Sequence, residues 1–369
     1  DYTEQAVGSN IVGNNVVLKA GDDVNVQGSN LIGKEDSKGN GGNIYITSGD
    51  DVNIIEGTLD ESHYSYEKKS GFSTNFSGGL GGVTGGITYS TSKTKQTSEM
   101  TNIAVSQVKA DGNIVINAGD TVESHATKFK ADDMSVVAEN DIKLLDAQET
   151  YKQDYSNKTT SIGVSVSISS PITSLINTGV NVRNNIKDDS YGFDRQDQSI
   201  NTLFNGFQDI RDIARDNSII RETIAGKRKP TDLVDVSIGV NFSTSSTTSH
   251  QEGANSVAGT IDVNNLNLTS NNGNVELVNQ QVNVAQNMNV KADDFIVRAG
   301  KSTFESENSS RSSGAGVSFN PLAPITPANF TPSVNYSQSN GNMEGTTYNN
   351  SHITVGGNTT INTTGDMIL

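Results

Sequence analysis

Short runs in which apolar and polar residues alternate recur along the chain, each closed by Gly, Asp or Asn. One reads Val16-Val17-Leu18-Lys19-Ala20-Gly21-Asp22-Asp23-Val24-Asn25-Val26. The phrase returns as Gly42-Asn43-Ile44-Tyr45-Ile46-Thr47-Ser48-Gly49-Asp50-Asp51-Val52-Asn53-Ile54 and as Gly112-Asn113-Ile114-Val115-Ile116-Asn117-Ala118-Gly119-Asp120-Thr121-Val122. Degenerate copies stand at Met134–Leu145, Ile261–Val290 and Ile353–Leu369. Period-two alternation is the mark of a strand with one buried face, which sends Ile44, Ile46, Val52 and Ile54 inward. Where copies abut, from Gly112 to Asp132, the period is about 20 residues, the length of one turn of a parallel β-solenoid. The pattern predicts an all-β, right-handed parallel β-helix running as one elongated unit over residues 1–369.

The chain leaves this rhythm three times, at about 61–109, 150–256 and 302–350. The first excursion carries Phe72, Phe76, Ile87 and Tyr89 around a Gly-rich run at Gly78–Gly86. The second has Ile162, Val164, Val166 and Ile168, answered far downstream by Val236, Ile238, Val240 and Phe242. The third has Val317 and Phe319, then Val334 and Tyr336. An outgoing amphipathic strand is met by a returning one each time, so three β-hairpins are predicted to project from the solenoid. Their apolar faces need a partner, which a neighbouring hairpin, the solenoid wall or lipid can supply. Between the strands of the second excursion, Ile200, Leu203, Phe204, Phe207, Ile210, Ile213 and Ala214 recur at helical spacing. A short helical insertion is expected over about 199–225, with Arg221 and Lys227-Arg228-Lys229 at its C-terminal end, where basic residues suit the helix dipole.

Composition narrows the functional classes. Only 33% of residues are hydrophobic, as in a protein of short strands, polar turns and a narrow core. Cysteine is absent, which excludes disulfides, thiolate metal sites and a Cys nucleophile. A net charge of -16 opposes binding to nucleic-acid phosphates. Asp1 opens neither a basic nor an apolar leader segment, and repeats run to both ends, so the chain reads as a piece of a longer one.

No catalytic constellation emerges. Asp22/Asp23, Asp50/Asp51, Asp132/Asp133 and Asp293/Asp294 invite a calcium or acid/base reading, yet each pair precedes a strand, where Asp bonds the local backbone. The four pairs are expected at one and the same turn. His63, His125, His250 and His352 are scattered without metal-ligand spacing and are expected on the solvated surface. Gly78–Gly86 lacks the Lys-Ser/Thr of a phosphate loop. Parallel β-helices include polysaccharide lyases and hydrolases, but those need carboxylates at defined separation in a groove, whereas the acids here lie in turns. The expectation is no enzyme, no cofactor and no metal.

The phrase Gly-Asn-Ile-x-Ile-x-Ala/Ser-Gly-Asp-x-Val, followed by a Ser/Thr/Lys-rich excursion and its return, resembles the haemagglutinin repeats of filamentous-haemagglutinin-type exoproteins. Within these it looks most like the second haemagglutinin-repeat region of CdiA-type contact-dependent growth-inhibition effectors. The resemblance spans essentially the whole chain, with the insertion around Ile200–Lys229 its main departure. It implies export through an outer-membrane two-partner-secretion transporter and a place in a long filament, secreted or on the bacterial cell surface. In growth-inhibition effectors it further implies retention in the periplasm before target contact, then association with the target-cell outer membrane or a surface component. A C-terminal toxin in the same full-length chain would cross there, with an immunity protein as its counterpart. Related repeats also occur in adhesin stalks that attach to host cells or biofilm, so toxin delivery and plain adhesion both stay open.

Overall fold

A computed structural model describes residues 1–4, 7–79, 82–169, 222, 227, 235–322 and 326–369. After β1 (Tyr2–Thr3), the first rung is β2 (Asn10–Gly13), β3 (Val16–Lys19) and β4 (Val24–Gln27), and the second is β5 (Asn30–Gly33), β6 (Ile44–Thr47) and β7 (Val52–Ile55). The chain then departs as β8 (Gly57–Gly79) and returns as β9 (Gly82–Ala104). Two more rungs follow, β10 (Gln107–Ala110), β11 (Ile114–Ala118), β12 (Val122–His125) and β13 (Lys128–Lys130), β14 (Asp133–Ala138), β15 (Ile142–Leu145). The long strands β16 (Ala147–Ser169) and β17 (Asp235–Val257) come next. Rungs five and six are β18 (Gly259–Val263), β19 (Asn265–Ser270), β20 (Val275–Val278) and β21 (Gln280–Val284), β22 (Met288–Ala292), β23 (Phe295–Arg298). A third long pair, β24 (Gly300–Phe319) and β25 (Phe330–Asn349), precedes the last rung, β26 (His352–Val355), β27 (Thr359–Thr363) and β28 (Met367–Ile368).

Corresponding strands of successive rungs pair in parallel into three seven-stranded sheets, which makes the body a parallel β-solenoid. Val16, Ile44, Ile114, Met134, Leu266 and Met288 fall on one column, and Ile46, Ile116, Val136, Leu268 and Val290 on the next. All are buried, so the core is a spine of stacked aliphatic side chains.

Turn side chains stitch rung to rung. Between the first and second strands, Asn15 Oδ1 accepts from the Asn43 amide at 3.2 Å and Asn43 Oδ1 accepts from the Asn113 amide at 2.9 Å. Between the second and third strands, Asp23 Oδ1 accepts from the Asp51 amide at 3.1 Å, Asp51 from Thr121 at 3.0 Å, and Asp141 from Asn274 at 2.9 Å. Asx side chains thus do for the turn amides what the ladder does for the strands. The acid pairs do not share one turn: Asp132 precedes β14 and Asp133 opens it, at the first turn of their rung, whereas the other three pairs stand at the second. Adjacent strands in both places end in an Asx-type turn, so a local pattern does not separate them. Stacking has an electrostatic cost, and Asp50 is held above the usual carboxylate range by desolvation and by Asp51, Asp23 and Asp120.

The third corner of the rung is where the long strands leave. Where the chain continues directly into the next rung it turns through a left-handed residue, Gly28 (φ 52°), Ala126 (φ 47°) or Asn279 (φ 48°). After even rungs it departs instead. Neighbouring side chains then satisfy carbonyls at the exit, Ser106 Oγ donating to Ile55 at 2.7 Å, Thr127 Oγ1 to Ile54 at 2.9 Å and Gln280 Nε2 to Leu145 at 3.0 Å.

At the first exit His125 lies half-buried between Glu56 (3.1 Å from Nδ1) and Glu123 (2.9 Å from Nε2), not in open solvent as the sequence suggested. The hydrogen bond with Glu56 raises the His125 pKa, and the same bond lowers that of Glu56. A raised histidine contributes its stability fully below its unfolded value, about 6.5, and loses it as pH rises through the folded value. A lowered carboxylate contributes above its unfolded value and loses that as pH falls through the folded one. The contact is therefore strongest between the two. Thermal melts taken upward from about pH 6 should show a decline that His125→Gln flattens. An identical pH profile in the variant would count against this contact.

The long strands form a fourth, antiparallel sheet of their own, ordered β1-β8-β9-β16-β17-β24-β25. Its spacing matches the solenoid. Two rungs advance the body by about 10 Å, and two long strands side by side occupy the same about 10 Å, since both spacings are the inter-strand distance of about 4.8 Å. One departure every second rung therefore lets each pair dock edge to edge on the last. The strands also begin earlier than the sequence pattern placed them, at Gly57, Ala147 and Gly300, because the ladder continues through polar residues that carry no hydrophobic signal. The helix expected over 199–225 and its basic cluster lie outside the described residues, apart from Glu222 and Lys227.

Candidate functional site: the amphipathic sheet of long strands

Partners directly opposite in an antiparallel ladder point to the same side of the sheet. Tracing the register across six strands aligns Phe72, Tyr89, Ile162, Phe242, Ala315 and Val334 in one row. The next row outward is Thr74, Ile87, Val164, Val240, Val317 and Pro332, followed by Phe76, Gly85, Val166, Ile238, Phe319 and Phe330. The last is Gly78, Val83, Ile168 and Val236. Tyr336 stands one row nearer the solenoid, opposite Ser313. Every apolar strand residue singled out in the three predicted hairpins thus lies on one face of one sheet. Sequence alternation placed each residue on a face of its own strand; only the register shows that the six faces coincide.

The opposite face of the same region is polar. Its rows include Gly71, Ser90, Ser161, Ser243, Gly314 and Asn335, then Ser73, Thr88, Gly163, Asn241, Gly316 and Ser333. The apolar side lies open among the described residues, with Val164 49%, Phe76 81% and Val334 83% exposed. Aromatic pairs hold it locally, Phe72 with Tyr89 at 4.9 Å and Phe319 with Phe330 at 5.7 Å between ring centroids. At strand spacing the field is roughly 25 Å wide and 20 Å tall, on the order of 500 Å², at the upper end of what soluble monomers expose.

Toward the solenoid the apolar face changes chemistry in bands. Below the row of hydroxyls that contains Tyr336 lies Lys68, Lys93, Lys158, Ser246, Arg311 and Gln338. Arg311 also lies over the Tyr336 ring, 5.3 Å from its centroid. These cations escaped the sequence reading because they lie far apart in the chain. Nearer the base, Asp154 and His250 face each other at 2.6 Å, and the Asp154 hydrogen bond raises the His250 pKa. Glu99, Lys152, Glu252, Glu305 and Glu344 share the row beyond. Among the acid pairs of the solenoid turns, Asp23, Asp51 and Asp294 accept from backbone amides of the next rung, and Asp132, Asp133 and Asp293 accept from its side chains. The arrangement is a surface whose polarity is graded from the strand tips to the base.

The repeat unit seen in the fold, two rungs and a long pair, has its counterpart in comparison with known proteins. The family model described as hemagglutinin repeat matches at residues 1–99, 87–191 and 240–369. Comparisons with curated proteins and with solved structures return no match. Three matched stretches that together cover most of the chain place it in the hemagglutinin repeat family.

Proposed function

We propose that this chain is a delivery segment of a two-partner-secreted surface filament in contact-dependent growth inhibition. In this reading the apolar face of the long-strand sheet engages the outer membrane of a neighbouring cell and helps a C-terminal toxin cross it. The observation that carries it is the gathering of the apolar residues of the outer long-strand halves on one uncovered face. The solenoid supplies a stalk, and the family to which the chain belongs comprises secreted surface filaments. Export through an outer-membrane transporter, periplasmic retention before contact and a cognate immunity protein belong to the same proposal. No helix among the described residues is long and apolar enough to cross a membrane.

The absence of cysteine makes single-site labelling clean. Polarity-sensitive probes on Val164→Cys, Val240→Cys, Val317→Cys and Val334→Cys should report an apolar environment when outer-membrane-like vesicles are added, and a probe at Ser161→Cys on the other face should not. The triple variant Val164→Asp, Val240→Asp, Val317→Asp sets three acids side by side in one row and should weaken vesicle binding by at least about tenfold, with the solenoid melt unchanged. Probes blind to vesicles at all four sites would overturn the membrane reading. The long Ser/Thr face favours a second one, an attachment stalk for host cells or biofilm, which predicts binding to surface glycans that the triple variant keeps.

A further inference from the structure

Within a chain of net charge -16, Lys68, Lys93 and Lys158 stand directly opposite one another on three adjacent strands, with Arg311 two strands on. Like charges directly opposite in a sheet are destabilising. No carboxylate of the described residues forms an ion pair with any of the four, and the rows immediately above and below contain no acid. Lys95, one row below, adds a fifth cation. Acids begin only farther toward the solenoid. From the tips downward the face therefore reads apolar, hydroxyl and aromatic, cationic, then acidic.

We infer that this face binds flat to a phosphate-bearing anionic lipid surface, its apolar rows entering the acyl boundary while the Lys68, Lys93, Lys158 and Arg311 row holds headgroup phosphates. The inference rests on the membrane reading above and supplies its lipid preference and its orientation. Tip-first insertion is disfavoured because it would bury the Ser, Thr, Gly and Asn face in hydrocarbon. Lying flat leaves that face in water, as an interfacial amphipathic helix does. Long-range repulsion from the net negative chain is screened beyond about 8–10 Å at physiological salt, while the cation row acts within that distance. The acidic band nearer the solenoid repels the same surface and tilts the stalk away from it.

Cosedimentation of the whole chain with phosphatidylcholine vesicles, and with vesicles containing an equal part of phosphatidylglycerol, tests this. The wild type should bind the anionic vesicles at least about a hundredfold more tightly at low salt, since each cation near such a surface changes binding about fivefold. Lys68→Gln, Lys93→Gln, Lys158→Gln and Arg311→Gln combined should bring anionic binding down to the phosphatidylcholine level. Replacing the three lysines with arginine should retain the preference. The four positions are exposed, so a normal melt is expected of each variant. Equal binding to both vesicle types, or an unaltered preference in the Gln variant, would sink the cation row while leaving membrane engagement standing. Binding to neither would sink both. A wild-type dimer that conceals the face and binds no lipid would do the same.

Discussion

Ile116→Asp should abolish the single cooperative melt of the solenoid. Ile116 is fully buried on an interior strand, β11, of the sheet formed by the second strands of the rungs, stacked between Ile46 and Val136 in the column that continues to Leu268 and Val290. Loss of an aliphatic side chain at such a site costs about 2–5 kcal/mol, and burial of an unpaired carboxylate costs several more. In a stacked-repeat protein each rung is stabilised chiefly by its two neighbours, so one failed rung divides the array. The expected result is a urea transition, followed by far-UV circular dichroism, that splits or moves to much lower denaturant. Protease should then cut at the third rung. Asn117→Asp, the outward-facing next residue, should change stability by no more than about 0.5 kcal/mol. A single transition at the wild-type midpoint in Ile116→Asp would mean that the columns do not hold the fold.

That column was legible before any coordinates, and the reason is physical. A solenoid strand is half-buried, its periodicity is local, and the phrases at Ile44 and Ile114 repeat closely enough that equivalence follows from sequence alone. The long strands were legible only in part. Their outer halves alternate cleanly, as at Ile162, Val164, Val166 and Ile168, but their inner halves carry Ser, Thr, Lys and Glu on both faces and gave no strand signal. Their extent is fixed by backbone pairing with strands from other excursions, a non-local property. The cation row shows the limit most plainly. Lys68, Lys93, Lys158 and Arg311 come into one row through the register of five strands, and a register slip of one residue would place any of them on the other face. His125 was misread for a similar reason, because its partner Glu56 sits one rung below and beside an exit that sequence spacing does not reveal.

The match between rung spacing and long-strand spacing leads to the second large effect. Deleting Gln107–Thr127 removes one rung and brings β13 onto β5, and both strands already pair with the deleted β10, so the shortened solenoid should still stack. The first two long pairs would then depart one rung apart, about 4.8 Å, where two strands need about 10 Å. β16 would have to occupy the place of β9. The expected result is a sheet that parts between β9 and β16, read by hydrogen exchange as loss of protection for the amides joining them, from Thr101 opposite Thr150 to Gly82 opposite Ser169. Protection in β19 and β22 should persist. Deleting the complete unit Gln107–Ala258 is the matched control: it removes two rungs together with the second long pair, keeps the two-rung interval, and brings β24 to the exposed edge of β9. The long-strand sheet should survive that larger excision with one pair fewer. If the single-rung deletion left the β9–β16 amides as protected as before, the two-rung interval would not govern where the long strands dock.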